Sequence, residues 1–347
     1  MSAAERALTE VWYGKSSAGL WLQPLASLYG VVTASRRALY ASGFLPSYRV
    51  GRPVVVVGNL TVGGTGKTPL VVWLAEKLVE RRLSVGILSR GYRSGGGGPR
   101  EVELSSDWRE VGDEPLLLRQ RTKCRTVVSP DRLAGARVLI ERRVDVILAD
   151  DGLQHLRLAR DCEVVVIDGA RGFGNGRLLP AGPLRDPIAR LERADLIVVN
   201  GPAKHPSLAP IASLLETRGV QMTLVPGNVI PLDNRRTARR LEEFRKQRVH
   251  AVAGIGNPAR FFADLRARGL DVVEHPFGDH HAFVARDLEF GDGAPVLMTE
   301  KDAVKCRAFA NDRLWYVPVT ARFSDAHTAQ VLARVIDKLG FAVDATG

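Results

Sequence analysis

The sequence predicts an α/β fold: a mostly parallel sheet covered by helices, a smaller C-terminal α/β domain, and an N-terminal amphipathic helical extension. Three observations carry this. Short apolar runs at Pro53–Gly58, Ser84–Ser89, Val144–Ala149, Glu163–Asp168 and Asp195–Asn200 alternate with helical stretches, as in parallel sheets buried on both faces. A glycine-rich turn follows the first run and opens a helix over about 69–82. Gly63, Ser89, Asp150, Asp168 and Asn200 all fall where the runs end, and such sheets bind ligands at the carboxyl ends of their strands.

The turn reads Gly63-Gly64-Thr65-Gly66-Lys67-Thr68, the residue types of a phosphate-binding loop. Glycines let backbone N–H groups curl around phosphate oxygens, and the helix N-terminus adds its positive end. Lys67 can reach the β- and γ-phosphates, and the Thr68 hydroxyl can bind Mg²⁺. Pro69 suits a first helical turn. The first glycine of the longer Walker pattern would fall at Thr61, so the loop resembles the G-G-x-G-K-T loops of partitioning ATPases and nitrogenase iron proteins. Those often carry a lysine before the two glycines, where Val62 stands. Val62 weakens the reading of a dimeric switch ATPase, and the chain is expected to be a monomer.

The chain's 347 residues suit two domains, or one large domain with an extension. Net charge is 49 − 38 = +11, which favours an anionic partner or reflects an arginine-rich composition alone. Cys124, Cys162 and Cys306 are scattered, which argues against a disulfide framework or zinc site and for a reducing compartment.

Between Lys15 and Arg36 no charged residue occurs, and Trp21, Leu25, Leu28 and Val32 share one helical face. Gln23, Pro24, Ser27 and several glycines make a poor transmembrane span, and no signal-peptide cleavage pattern follows. Two readings stand: a helix lying in an anionic membrane interface beside Arg36, Arg37, Arg49 and Arg52, or a helix packed on its own domain or a partner chain. The expected organisation is residues 1–48 as this segment, 49–225 as the nucleotide-binding core, 226–248 as a Pro/Arg-rich linker, and 249–347 as the smaller domain.

The smaller domain has apolar runs at Val249–Ala253, Pro295–Thr299 and Leu314–Val317. Its Gly254-Ile-Gly256-Asn-Pro-Ala259, with Glu274 about twenty residues on, fits a dinucleotide fingerprint. The unit is too short for a full dinucleotide fold, so a structural or substrate-facing turn is the expectation.

Asp150 and Asp151 end a buried run, where P-loop enzymes place their second Mg²⁺ anchor; an Asp-Gly turn is the plainer alternative. Val111-Gly-Asp113-Glu-Pro115 puts two acids ahead of an apolar helix. Asp113 or Glu114 can serve as general base for a substrate hydroxyl, and Asp113 equally as a helix cap. Arg171, Arg177 and Arg185, in a glycine-rich run from Asp168 to Asp186, can clamp phosphate oxygens or form a solvated loop. His280 and His281 follow Asp279 and either orient the base carboxylate or are ordinary surface or core histidines.

Taken together, these segments resemble the tetraacyldisaccharide 4′-kinase (lipid A 4′-kinase) family of Gram-negative bacteria. The matching blocks are Gly58–Pro69, Ser89-Arg-Gly-Tyr92, Val111–Pro115, Asp150–His155, Leu178–Arg185, Gly254–Pro258, Asp279–His281 and Thr299-Glu-Lys-Asp-Ala-Val-Lys305. The resemblance implies transfer of the ATP γ-phosphate to the 4′-hydroxyl of a tetraacylated glucosamine disaccharide 1-phosphate at the cytoplasmic face of the inner membrane. It implies Mg²⁺, no nucleic acid, an anionic membrane surface as partner, and a two-stranded linker acting as a hinge. It matches Asp113 to the catalytic base, His280 to its support, Asp150 and Asp151 to metal-site acids, and Tyr92, His155 and Arg185 to residues near the reacting groups. At position 186 the family pattern has Glu and this chain has Asp, a shorter carboxylate. The rival readings are a membrane-associated switch ATPase of the partitioning type and a nucleic-acid-binding NTPase. The first predicts ATP-dependent dimers, the second steeply salt-dependent polynucleotide binding.

Overall fold

A computed structural model of the chain describes residues 3–14, 17–91, 97–233 and 235–341. Two helices lead, α1 (Ala3–Tyr13) and α2 (Gln23–Ala41). The core then runs β1 (Val54–Gly58), α3 (Lys67–Val79), β2 (Val85–Ser89), β3 (Arg100–Glu101), α4 (Trp108–Val111), α5 (Asp113–Thr122), β4 (Arg125–Val128), α6 (Arg132–Glu141), β5 (Val146–Asp150), β6 (Cys162–Asp168), β7 (Leu196–Asn200), α7 (Ala212–Arg218) and β8 (Gly219–Pro226). A second unit follows with β9 (Ile230–Pro231), β10 (Arg248–Ala253), α8 (Pro258–Ala267), β11 (Asp271–Pro276), β12 (Val296–Thr299), α9 (Glu300–Cys306) and β13 (Leu314–Val317). The chain then returns through β14 (Val319–Arg322) and α10 (Asp325–Leu339).

All five apolar runs read from the core sequence are strands. They lie in a sheet ordered β14-β8-β7-β6-β1-β5-β2-β4-β3, parallel from β8 to β4 with antiparallel strands at both edges. The valines of β1 explain its central place. Val55 and Val57 join one core cluster with Leu70, Leu74 and Leu78 of α3 and Val331 and Val335 of α10. Val54 and Val56 join another with Leu133, Ala136 and Leu139 of α6. Alternate residues of a strand face opposite sides, so an all-apolar strand needs helices on both. Burying each such side chain contributes about 1.5–3 kcal/mol. Because β1 lies between β5 and β6, the turn after it opens into the crevice at the carboxyl edge of the sheet.

The second sheet is ordered β11-β10-β12-β13-β9, parallel except for β9. Two expected boundaries are corrected. Most of 226–248 is built into the second unit rather than linking: β9 pairs with β13, and Leu241 and Phe244 are buried in that unit's core. Residues 319–339, assigned from sequence to the C-terminal domain, rejoin the first sheet. There β14 pairs antiparallel with β8, and Val331, Val335 and Leu339 of α10 bury against the core. The two units are thus joined by a two-stranded connection, β8 and β14, with Gly227 N–H donating to Pro318 O at 2.8 Å. These strands escaped the sequence reading because β8 is buried only at Val220 and Met222, which leaves no continuous apolar run.

Helix α2 is unusual in which face it buries. Ala26, Tyr29, Thr33 and Arg37 turn inward, with Tyr29 Oη donating to Arg185 O at 2.9 Å and Arg37 Nη1 to Asp186 Oδ1 at 2.5 Å. The apolar side chains Leu25, Leu28, Val31 and Val32 face outward, as does Trp21 (89% exposed) just before the helix. Among the described residues no helix is long and apolar enough to cross a membrane.

Candidate active site

The loop after β1 is shaped by two glycines with left-handed backbone, Gly63 (φ 100°) and Gly66 (φ 97°), a region that strains any L side chain. Buried side chains brace it. Asn59 Nδ2 donates to Thr61 O at 2.8 Å, and Asn200 Nδ2 to Thr65 O at 2.9 Å. Helix α3 begins at Lys67, two residues before the sequence estimate, so Lys67 and Thr68 stand in its first turn. Lys67 Nζ donates to Asn59 Oδ1 at 2.9 Å and lies 3.4 Å from Asp151 Oδ1. Arg171 donates to Gly64 O and Gly256 O at 3.4 and 3.3 Å, its guanidinium over the Tyr13 ring. Arg171, read from the sequence as a phosphate clamp or part of a solvated loop, lies against the loop backbone.

Asp150 pairs in register with Val57, which places its carboxylate at the sheet edge beside the loop. The two adjacent acids have opposite surroundings. Asp150 is 1% exposed and its Oδ1 has no hydrogen-bond partner. Burial, then the nearby charges of Glu114 and Asp151, push its pKa up. Burial acts the same way on Asp151, but Lys67 and Arg185 outweigh it and hold that carboxyl well below the usual range. Arg185 Nη1 donates to both Asp151 oxygens, at 3.1 and 2.9 Å. Among the described residues no group of three or more His, Cys, Asp or Glu could hold a metal ion alone. Mg²⁺ takes one or two carboxylates and completes its shell with substrate phosphates and water. The unpartnered Asp150 oxygen and the Thr68 hydroxyl are hard donors that fit such an ion.

Asp113, 4% exposed, begins α5. His280 Nδ1 lies 3.0 Å from both its carboxylate oxygens, across the cleft between the units. Burial raises the Asp113 pKa, but the His280 hydrogen bond and Lys301, with Lys305, outweigh it and hold the carboxyl far below its ordinary value. For His280, burial lowers the pKa and Asp113 more than restores it, so the imidazole binds its proton more tightly than usual. His281 takes no part: its Nε2 pairs with Asp287 at 2.9 Å within its own unit.

On the α2 side, Asp186 is buried. Arg37 and Gln154 Nε2 (3.0 Å) hold its two oxygens. The shorter carboxylate at this position therefore ties α2 to the core. His155 lines a cavity of about 290 Å³ with Arg36, Tyr40, Arg132 and Arg157. Burial and then the charge of Arg132 lower its pKa to about 4, so it is a neutral hydrogen-bonding group. Tyr92 lies outside the described residues, as do Gly95 and Gly96.

The dinucleotide fingerprint serves another purpose. Glu274 pairs with Arg266 on the surface, while Gly254 N–H donates to Asp302 Oδ2 at 2.9 Å and Gly256 packs on the phosphate loop. A Cβ built on Gly256 would lie 2.6 Å from Gly64 N.

Known proteins are similar to this chain over most of its length. A family model described as tetraacyldisaccharide-1-P 4′-kinase (LpxK) matches residues 18–337. The chain belongs to that family. The tetraacyldisaccharide 4′-kinase of Xanthomonas campestris pv. campestris is 48% identical over 335 residues, covering 94% of this chain and 95% of that protein. The protein of the same name from Nitrosococcus oceani is 44% identical over 337 residues, covering 96% and 95%. Among solved structures, LpxK from Aquifex aeolicus in complex with ATP matches with a TM-score of 0.74 at 28% identity, over 93% of this chain and all of that one. Family membership makes the chain a kinase enzyme, and the switch-ATPase and nucleic-acid readings fall away.

Some residues of this site were not assigned a role from the sequence. Asn59 is an ordinary polar residue in the chain, and only the fold shows its side chain under Lys67. Asn200, noted at a strand end, bonds the loop and accepts from Arg260 (3.1 Å). Lys301 and Lys305 stood in a quoted motif with an i, i+4 spacing that puts both on one helix face, a signal with no partner until α5 is docked beside it.

Proposed function

We propose that this kinase transfers the γ-phosphate of ATP to the 4′-hydroxyl of a tetraacylated glucosamine disaccharide 1-phosphate, in lipid A biosynthesis, at the cytoplasmic face of the inner membrane. The observation that carries the reading is Asp113, in the same unit as Lys67 and its loop, held across the cleft by His280 of the second unit. The loop N–H groups and Lys67 receive the triphosphate, and Arg171 and Arg185 flank it. Asp150 and Thr68 would hold Mg²⁺, which when bound neutralises phosphate charge. Asp151 serves Lys67 and Arg185 as their anchor.

In the transfer, the acceptor oxygen bonds to the γ-phosphorus and the bond to the β–γ bridging oxygen breaks, releasing ADP. The hydroxyl proton passes to Asp113. A carboxylate of such low basicity takes that proton late, after the loose transition state has formed, so its main contribution is to orient the hydroxyl. His280 retains its own proton and fixes the carboxylate.

The outward apolar face of α2 supports a peripheral membrane location. A surface helix normally buries its apolar stripe, and here the polar face is inside while Trp21, Leu25 and Leu28 stay exposed. That inversion suits a helix lying in the interface, where an acyl-chain substrate resides. The +11 charge of the chain adds attraction to anionic lipid. The test is incubation with labelled ATP and the disaccharide precursor in mixed micelles. The expected result is a phosphorylated lipid, and Asp113→Ala is expected to lose about 10²–10⁴-fold in turnover while ATP still binds. An Asp113→Ala enzyme with near-normal kcat refutes the base assignment; no lipid product from the unmodified enzyme refutes the substrate.

A further inference from the structure

Among the described residues, the cations within 4.0 Å of the Asp113 carboxylate are His280, Lys301 and Lys305, and all three come from the second unit. They are not equivalent. Lys305 is wholly buried in that unit, 2.8 Å from Asp302. Asp302 in turn accepts the Gly254 N–H and the Thr299 hydroxyl, so this pair is part of the unit's own interior. Lys301 sits at the junction. Its Nζ lies 2.8 Å from Glu114 of α5, 3.1 Å from Asp279 of its own unit, and 3.9 Å from Asp113.

Asp113, Glu114 and Asp279 converge on one small volume, and Glu114 is close enough to Asp150 to raise its pKa. Like charges so close repel. One cation touching all three relieves this. Burial disfavours the charged form of Lys301, yet Glu114 and Asp113 keep its pKa well above the usual value. The far end of the junction has a separate tie, Arg121 Nη1 to Glu300 Oε2 at 2.7 Å.

We propose that Lys301 is a positioning residue for phosphoryl transfer: by bridging Glu114 and Asp279 beside Asp113, it fixes the base carboxylate when the two units are docked. The inference rests on Asp113 acting as the base. It makes the catalytic carboxylate conditional on the second unit, since that unit supplies both the histidine that orients it and the lysine that balances its surroundings.

Glu114 N–H donates to Asp113 Oδ1 at 2.9 Å, so exchange of that amide reports whether the carboxylate is held. In the full-length enzyme, Lys301→Met is expected to lower kcat on the order of 10²-fold, the cost of a misplaced reacting group. KM for ATP should stay within about threefold, because donor binding is untouched. Lys301→Arg should recover most of the rate. Arg121→Gln, which removes the ties of Arg121 to Glu300 and Thr320 and leaves Lys301 in place, should keep kcat within about threefold of the unmodified enzyme. Exchange at the Glu114 amide with ATP bound should rise in Lys301→Met and not in Lys301→Arg. The inference is overturned if Lys301→Met keeps its kcat, if Arg121→Gln is equally slow, or if the Glu114 amide is indifferent to Lys301. The exchange readout needs no lipid acceptor. An unmodified enzyme that phosphorylates no disaccharide therefore overturns the substrate reading while the exchange result still decides the role of Lys301.

Discussion

The packing of Gly256 on the phosphate loop yields the sharpest prediction. The Gly254–Gly256 turn of the second unit meets Gly63 and Gly64 so closely that a Cβ at 256 would stand 2.6 Å from Gly64 N, 3.2 Å from Gly63 Cα and 3.3 Å from Gly63 C. Ordinary contact begins at 3.4 Å, so Gly256→Ala must open this junction by about 0.8 Å (3.4 − 2.6). The obstacle is backbone on both sides and cannot swing away like a side-chain tip. Gly256 does not need a left-handed backbone, so the substitution carries no conformational penalty of its own. A displacement approaching 1 Å at a reacting centre costs up to about 10²-fold in rate. Gly256→Ala should therefore lose about 10- to 100-fold in kcat in a steady-state assay, with a thermal unfolding midpoint within a few degrees of the unmodified protein. A variant with full kcat would refute the reasoning, because the two units would then not dock loop to loop during turnover.

Three further outcomes follow from the geometry. His280 should titrate above its ordinary 6.5 when followed by NMR, so the stability its partnership contributes is complete below about 6.5 and is lost as pH rises through the folded-state value. In Asp113→Asn, burial and Lys301 act against Asp279 alone and should lower the His280 pKa; an unchanged titration would mean the pair is not formed in solution. Arg190 Nη2 bonds both oxygens of the buried Glu163 at 2.5 Å, so Arg190→Ala should destabilise the core by about 3 kcal/mol in denaturant unfolding, moderated by Arg160 at 3.1 Å; a loss under about 0.5 kcal/mol, the range of ordinary surface changes, would contradict this. Trp21→Glu with Leu25→Glu should abolish cosedimentation with anionic phosphatidylglycerol vesicles without changing the fold, and retained binding would exclude α2 as the docking face.

The core fold was legible because its strands are buried on both faces: five apolar runs and a glycine loop leave few alternatives. The donor loop was legible for the same kind of reason, since phosphate binding requires those residues consecutively. Asp150 and Asp151 stood out at a strand end, but their division of labour did not. It depends on Arg185, thirty-four residues away, reaching one carboxylate and not the other. By residue spacing alone Asp113 was one of two acids in a turn; the resemblance matched it to the base with His280 as its support, and the fold sets His280 against it.

The sequence by itself therefore determined what is local: strand, loop, helix, the means of gripping a triphosphate, and an apolar stripe on α2. The tertiary structure decided what needs residues distant in the chain. The last helix returns to the first sheet, the inner face of α2 is the polar one, and the glycine turn that imitates a dinucleotide site presses on the phosphate loop. The base carboxylate at 113 takes its cations from residues 280, 301 and 305. The physical reason is range: backbone conformation and burial are written in neighbours and periodicity, whereas charge and contact across a cleft depend on how two separately folded units meet.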